Sequence, residues 1–182
     1  MLINDGNGKF RVAEKSETEV FGRTSGAVFA DLDNNGTLEL FSANNARATT
    51  DKRRDEPQRS AQVRGSQLFR NDGGTLIDIT KQSGACPESL LSARNIGVWD
   101  FDGDGLLDLF VVEDIFVGKG RKPRSALLRN LGNLKFTDVT KEVGLPEDIH
   151  GLGLAVADLN DDGRPREIAR KRRHDDRRGS CG

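Results

Sequence analysis

Three stretches of this chain place oxygen-bearing side chains at every second position and then turn sharply at a glycine. The pattern is Asp-x-Asp-x-Asp/Asn-Gly-x-x-Asp/Glu. In the first, Asp31, Asp33, Asn35 and Glu39 occupy positions 1, 3, 5 and 9, Gly36 follows position 5, and Thr37 stands at position 7. In the second, Asp100, Asp102, Asp104 and Asp108 take the same positions, with Gly105 at the turn and Leu106 at position 7. The third opens the same way with Asp158, Asn160, Asp162 and Gly163, but its position 9 is Arg166. Hard cations such as calcium take six to eight oxygen ligands from flexible carboxylates, amides and backbone carbonyls. Positions 1, 3 and 5 converge on one point, position 7 offers its carbonyl, and position 9 closes the shell. The expected ligand is therefore Ca2+. Four carboxylates this close repel one another unless a cation sits among them. The second loop has one carboxylate more than the first and is expected to bind more tightly. The arginine at position 9 of the third opposes a metal there.

The same opening occurs in EF-hands, which need flanking helices and a glutamate at position 12. Here position 12 is Ser42, Val111 and Ala169, and the flanks read as strands. A bland alternative is that these runs are polar turns. Two complete loops and a partial third in register weigh against it. Catalytic chemistry finds little support. His150 and His174 are the only histidines, and no nucleophile elbow or phosphate-binding glycine loop occurs. No catalysis is expected. Trp99 and Phe101 flank Asp100, and strand alternation sends both away from the ligands and into the core.

The elements that must hold the loops form a repeat, the first thing to seek in such a chain. Gly26, Gly97 and Gly153 open the three loop-bearing segments, and Asp31, Asp100 and Asp158 follow one another at intervals of 69 and 58 residues. A second pattern keeps similar time: Leu2-Ile-Asn4-Asp-Gly, Leu68-Phe-Arg-Asn71-Asp-Gly-Gly74 and Leu127-Leu-Arg-Asn130-Leu-Gly. A third pairs Leu76-Ile-Asp-Ile-Thr80 with Phe136-Thr-Asp-Val-Thr140. Each unit consists of short β-type runs bounded by Asn/Asp/Gly turns. Leu38–Phe41 and Leu107–Val112 read as half-buried strands from their alternation. Four short strands per unit predict an all-β fold, a partial β-propeller of about three four-stranded blades with calcium loops between strands. Residues 43–67 and 113–126 are polar and basic and read as surface loops.

The 182 residues suffice for one domain with a real core. No apolar run approaches the ~20 residues of a membrane helix, so membrane insertion is not expected. Residues 1–163 form the repeat region and carry 20 Lys/Arg against 26 Asp/Glu; residues 164–182 carry 8 against 3. The abrupt switch to this basic tail is what a frameshift or truncated reading frame would produce. A disordered tail and a basic arm are the other readings, and nothing else in the chain supports nucleic-acid binding. Cys86 and Cys181 have no metal-ligand spacing and form no disulfide framework. The first residues lack a secretory signal.

The repeats resemble FG-GAP or VCBS repeats, the calcium-binding blades of integrin α-chain-like propellers. The matching residues are Gly26 to Phe41, Gly97 to Phe110 and Leu68 to Gly74. The resemblance implies a calcium-stabilised propeller, usually exported or at the cell surface (the parent protein secreted, periplasmic or cell-surface), that binds an as yet unknown protein or glycan ligand or serves adhesion. It also implies that this chain is a fragment, with other repeats missing. A second reading of the same resemblance is the non-catalytic repeat portion of a larger secreted enzyme, for example one acting on carbohydrate.

Overall fold

The computed structural model describes residues 2–12, 23–45, 65–87, 90, 92–113, 124–146, 149, 151–162 and 166–169. Of the expected basic loops, residues 46–64 and 114–123 lie outside them, as do almost all of the tail and His150, His174 and Cys181; the loop ends at 43–45, 67, 113 and 126 are strand instead, because they continue the ladders of their blades. Twelve strands and one helical turn make up the described part. In chain order the strands are β1 Leu2–Asn4, β2 Phe10–Val12, β3 Arg23–Ala30, β4 Glu39–Asn45, β5 Gln67–Asp72 and β6 Thr75–Asp78. After the short helix α1 Thr80–Ser83 come β7 Ala93–Trp99, β8 Asp108–Glu113, β9 Ala126–Asn130, β10 Phe136–Asp138, β11 Leu154–Ala157 and β12 Arg166–Ala169.

These strands form two complete antiparallel sheets, β3-β4-β5-β6 and β7-β8-β9-β10, flanked by two hairpins, β1-β2 and β11-β12. The hairpins are halves of the same unit. Asn4 pairs with Phe10 as Asn130 pairs with Phe136, so β1-β2 matches the outer half of a blade. Ala157 pairs with Arg166 as Ala30 pairs with Glu39 and Trp99 with Asp108, so β11-β12 matches the inner half. The architecture is all-β and is that of a partial propeller. The expected blades, about three, are distributed among the described residues as two whole blades and two half-blades. Strand β12 also continues the repeat pattern into residues assigned above to the tail.

The leading glycine of each unit is explained by how the blades approach. Strand β3 packs against β7, and β7 against β11. A methyl group on Gly26 would lie 3.1 Å from the Arg94 carbonyl oxygen, and one on Gly97 would lie 2.7 Å from a Leu154 methyl. Gly153, on the last described blade, has nothing within 4 Å.

Packing between blades corrects one expectation. Strands β4 and β8 are buried along their whole lengths rather than half-buried. Each is an inner strand with side chains buried on both faces; in β8 both faces are apolar, while β4 buries Ser42 and Asn44 beside Leu40. Leu109 and Val111 join Phe41, Leu68 and Leu128 in the core between the two whole blades, while Phe110 and Val112 join Trp99, Leu127 and Val139 on the opposite face. Leu154 and Val156 of β11 cover that second cluster. Burying a side chain such as Phe110 completely contributes about 1.5–3 kcal/mol.

Repeated polar residues fasten the outer strands in both blades. The Thr80 and Thr140 hydroxyls accept the N–H groups of Leu68 and Leu127 at 3.0 and 2.9 Å. Their own N–H groups donate to Asp78 and Asp138. Gly84 (φ +76°) and Gly144 (φ +77°) occupy equivalent left-handed positions, yet a methyl group on Gly84 would stand 2.5 Å from the Phe136 carbonyl oxygen while Gly144 faces open space. Gly144→Ala is therefore expected to cost about 1 kcal/mol, the left-handed penalty alone. Gly84→Ala adds a backbone clash and is expected to cost at least about 1 kcal/mol more. Urea unfolding of the two variants checks this; equal costs would contradict the tight blade contact.

Candidate metal centre

Each acidic loop links an inner strand to the next strand of its blade, β3 to β4 and β7 to β8, and its position-1 aspartate organises the turn. Asp31 accepts the N–H groups of Asn35 and Gly36 at 3.0 and 2.9 Å. Asp100 accepts those of Gly103, Asp104 and Gly105 at 2.7, 3.2 and 2.8 Å. For Asp100 desolvation is the largest single influence and raises the pKa, but the N–H groups of Gly105, Gly103, Asp104 and Asp102 together outweigh it, and the carboxyl sits below its ordinary pKa.

Position 9 does more than close a shell. Glu39 and Asp108 are fully buried. Asp108 accepts the Asn130 N–H at 2.7 Å on one oxygen and the Phe101 N–H at 2.9 Å on the other. Glu39 repeats this with Asn71 at 3.4 Å and Leu32 at 3.0 Å. These carboxylates staple the loop to the third strand of the blade. Burial raises the pKa of both, against the pull of those N–H groups. Asp33 adds to the rise at Glu39, as do Asp102 and Asp104 at Asp108.

The fold gathers two sets of three carboxylates. Oxygens of Asp31, Asp33 and Glu39 lie within 4.8 Å of one another, and so do oxygens of Asp100, Asp102 and Asp108. Asp104 stands outside the second set; its carboxylate accepts the Leu106 N–H at 2.9 Å. Asn35 accepts the Thr37 N–H at 2.7 Å and hydroxyl at 2.5 Å. In the third loop Asp158 accepts the N–H groups of Asn160 and Asp162, both at 3.2 Å, and the Asn160 amide donates to Asp162. All three are exposed, and among the described residues this loop gathers no comparable set. Its position 9 is Arg166, in register with Glu39 and Asp108.

The first two loops fit a hard cation by their donor chemistry. In addition, Asp33 Oδ1 is buried and has no hydrogen-bond partner among the described residues. A buried carboxylate oxygen without a donor is costly, and a bound cation removes that cost.

Sequence reasoning missed two residues. Asn130 is buried, and its amide donates to Leu107 of its own blade at 2.9 Å and to Leu32 of the neighbouring loop at 2.7 Å. Its counterpart Asn71 makes only the equivalent of the first bond, to Leu38. Arg129 lies against the second loop, 2.6 Å from Asp102 and 3.9 Å from Asp104. The recurrent Leu-x-Arg-Asn was the available signal, but a repeat shows that residues matter without showing what they touch.

Residues 100–165, which include the second loop, match the family model of the FG-GAP-like repeat. The chain carries an FG-GAP-like repeat. No curated protein matches it. The first unit, with the same strand order, register and staple, is a structural counterpart of the matched FG-GAP-like segment. Among the described residues no helix is long and apolar enough to cross a membrane.

The raised pKa of Asp108 has a testable consequence. An acid whose pKa is higher in the fold than in the unfolded chain contributes stability that is fully present below the unfolded value and lost as pH rises through the folded one. In chelator, the stability of wild type relative to Asp108→Asn should therefore fall as pH rises from below the ordinary carboxylate range through the raised pKa of Asp108. Thermal melts of the pair measure it; a difference that grows in wild type's favour over that window would refute the assignment.

Proposed function

We propose that this chain is a calcium-stabilised FG-GAP-like repeat module with no catalysis of its own. The observation that carries this is the pair of three-carboxylate sets at equivalent register positions, one of which holds a buried carboxylate oxygen with no donor among the described residues. Asp31, Asp33 and Glu39 would hold one cation, and Asp100, Asp102 and Asp108 another. Asn35, Thr37, Asp104 and Leu106 are close enough in sequence to add amide, hydroxyl, carboxylate or carbonyl oxygens. Calcium suits such loops better than magnesium, because it accepts more oxygens in looser geometry. The cation neutralises the loop and stabilises the folded blade by mass action. Support for a non-catalytic role comes from the clustering of the loop carboxylates, which a bound cation would engage together rather than leave as a poised acid/base pair. The parent protein is read as secreted, periplasmic or cell-surface, with a protein or glycan as its ligand.

Trp99 offers a direct test. It is the only tryptophan, there is no tyrosine, and it adjoins Asp100. Excitation of Trp99 should sensitise bound terbium; calcium should displace the signal and magnesium should do so poorly. Asp102→Asn should weaken it. At a calcium concentration about 100 times Kd, stability should rise by about 2.7 kcal/mol. Absence of displaceable emission from folded protein would leave these loops as polar turns.

A further inference from the structure

The two loops differ in one way that their motifs hide. In the first, Asp33 Oδ1 is buried without a donor among the described residues, and Arg70 pairs with Asp72 at 3.4 Å. In the second, the residue at the same place in the repeat, Arg129, sets its guanidinium 2.6 Å from Asp102 and 3.9 Å from Asp104. Its Nε is buried and has no hydrogen-bond partner among the described residues, so the carboxylates of the loop are the acceptors this side chain reaches. The second loop has four carboxylates against three in the first, and Arg129 offsets the extra charge.

We infer that Arg129 is a resident counter-cation of the second loop that competes with the metal for Asp102 and lowers the affinity of that loop. The inference rests on the calcium reading of the same loop. Two positive charges cannot share Asp102 at close range without mutual repulsion, and that repulsion falls only partly to solvent screening at a half-exposed site. A metal entering the second loop must displace or tolerate the guanidinium, whereas one entering the first meets no such competitor among the described residues. The order of filling then becomes first loop before second, the reverse of what carboxylate number alone implies. Arg129 also gives the metal-free second loop a partner for Asp102, so that this loop depends less on a cation for its order.

The test is terbium titration of the full chain, read through Trp99, with calcium competition. Two neutral variants, Arg129→Gln and Arg129→Met, remove the charge, and Arg129→Lys keeps it. Both neutral variants should bind more tightly, on the order of tenfold, while Arg129→Lys should stay near wild type. The Met variant separates charge removal from any ligation by the Gln amide. Circular dichroism in chelator confirms that each variant is folded. Unchanged or weaker binding in both neutral variants, with wild type binding normally, overturns the role of Arg129 and leaves the calcium reading standing. Absence of binding in wild type and in all variants overturns both. Binding that appears only when Arg129 is neutralised supports the inference in its strongest form, with the guanidinium occupying the site.

Discussion

The structure turns on two carboxylates that have been taken fully out of water. Glu39 and Asp108 sit at the start of the second strand of their blades, and each spends both oxygens on backbone N–H groups. A buried carboxylate is tolerated only when its lone pairs are met. Here the donors come from two directions: from position 2 of the acidic loop and from the asparagine at or next to the end of the third strand. The loop, the inner strands and the outer hairpin are thus tied at one point. The same carboxylates belong to the two three-carboxylate sets, so ordering of the blade and assembly of those sets are one event.

Around that point the blades are joined by apolar packing and by a few directional bonds. Asn130 connects the carbonyl of Leu32 in one loop to that of Leu107 in the other, and the Asn34 amide donates to the Gly105 carbonyl across the same gap at 2.9 Å. The two acidic loops are therefore mechanical neighbours. The core is thin and layered, with each sheet serving two apolar clusters, and this explains why Leu109 to Val112 is an unbroken apolar run. Arg129 adds an electrostatic difference between loops that share a motif.

Much of this could be read directly from the chain. The repeat, the strand-and-turn pattern and the acidic loops follow from periodicity and from residue types with narrow physical uses. Glycines within the first strand and after position 5, alternating Asp/Asn, and Leu-x-Arg-Asn all mark real structural positions. The half-buried reading of β4 and β8 failed because alternation reports one covered face, whereas these strands are covered on two. The tail boundary at residue 163 came from a change of composition, and β12 shows that backbone pairing can continue through such a change.

What the sequence by itself determined is local: which residues turn, which extend, and which group of oxygens one loop can bring together. Those features depend on contacts within about ten residues, where chain geometry leaves few alternatives. The tertiary structure alone decided the rest. Asp108 and Glu39 as buried staples, Asn130 as a bridge between loops, and Arg129 rather than Arg70 as a charge beside a loop all require strands distant in sequence to meet. The sequence holds two nearly identical Leu-x-Arg-Asn segments, and their arginines point differently because their surroundings differ. Electrostatic roles depend on distance, and distance between strands is fixed only when the blades pack.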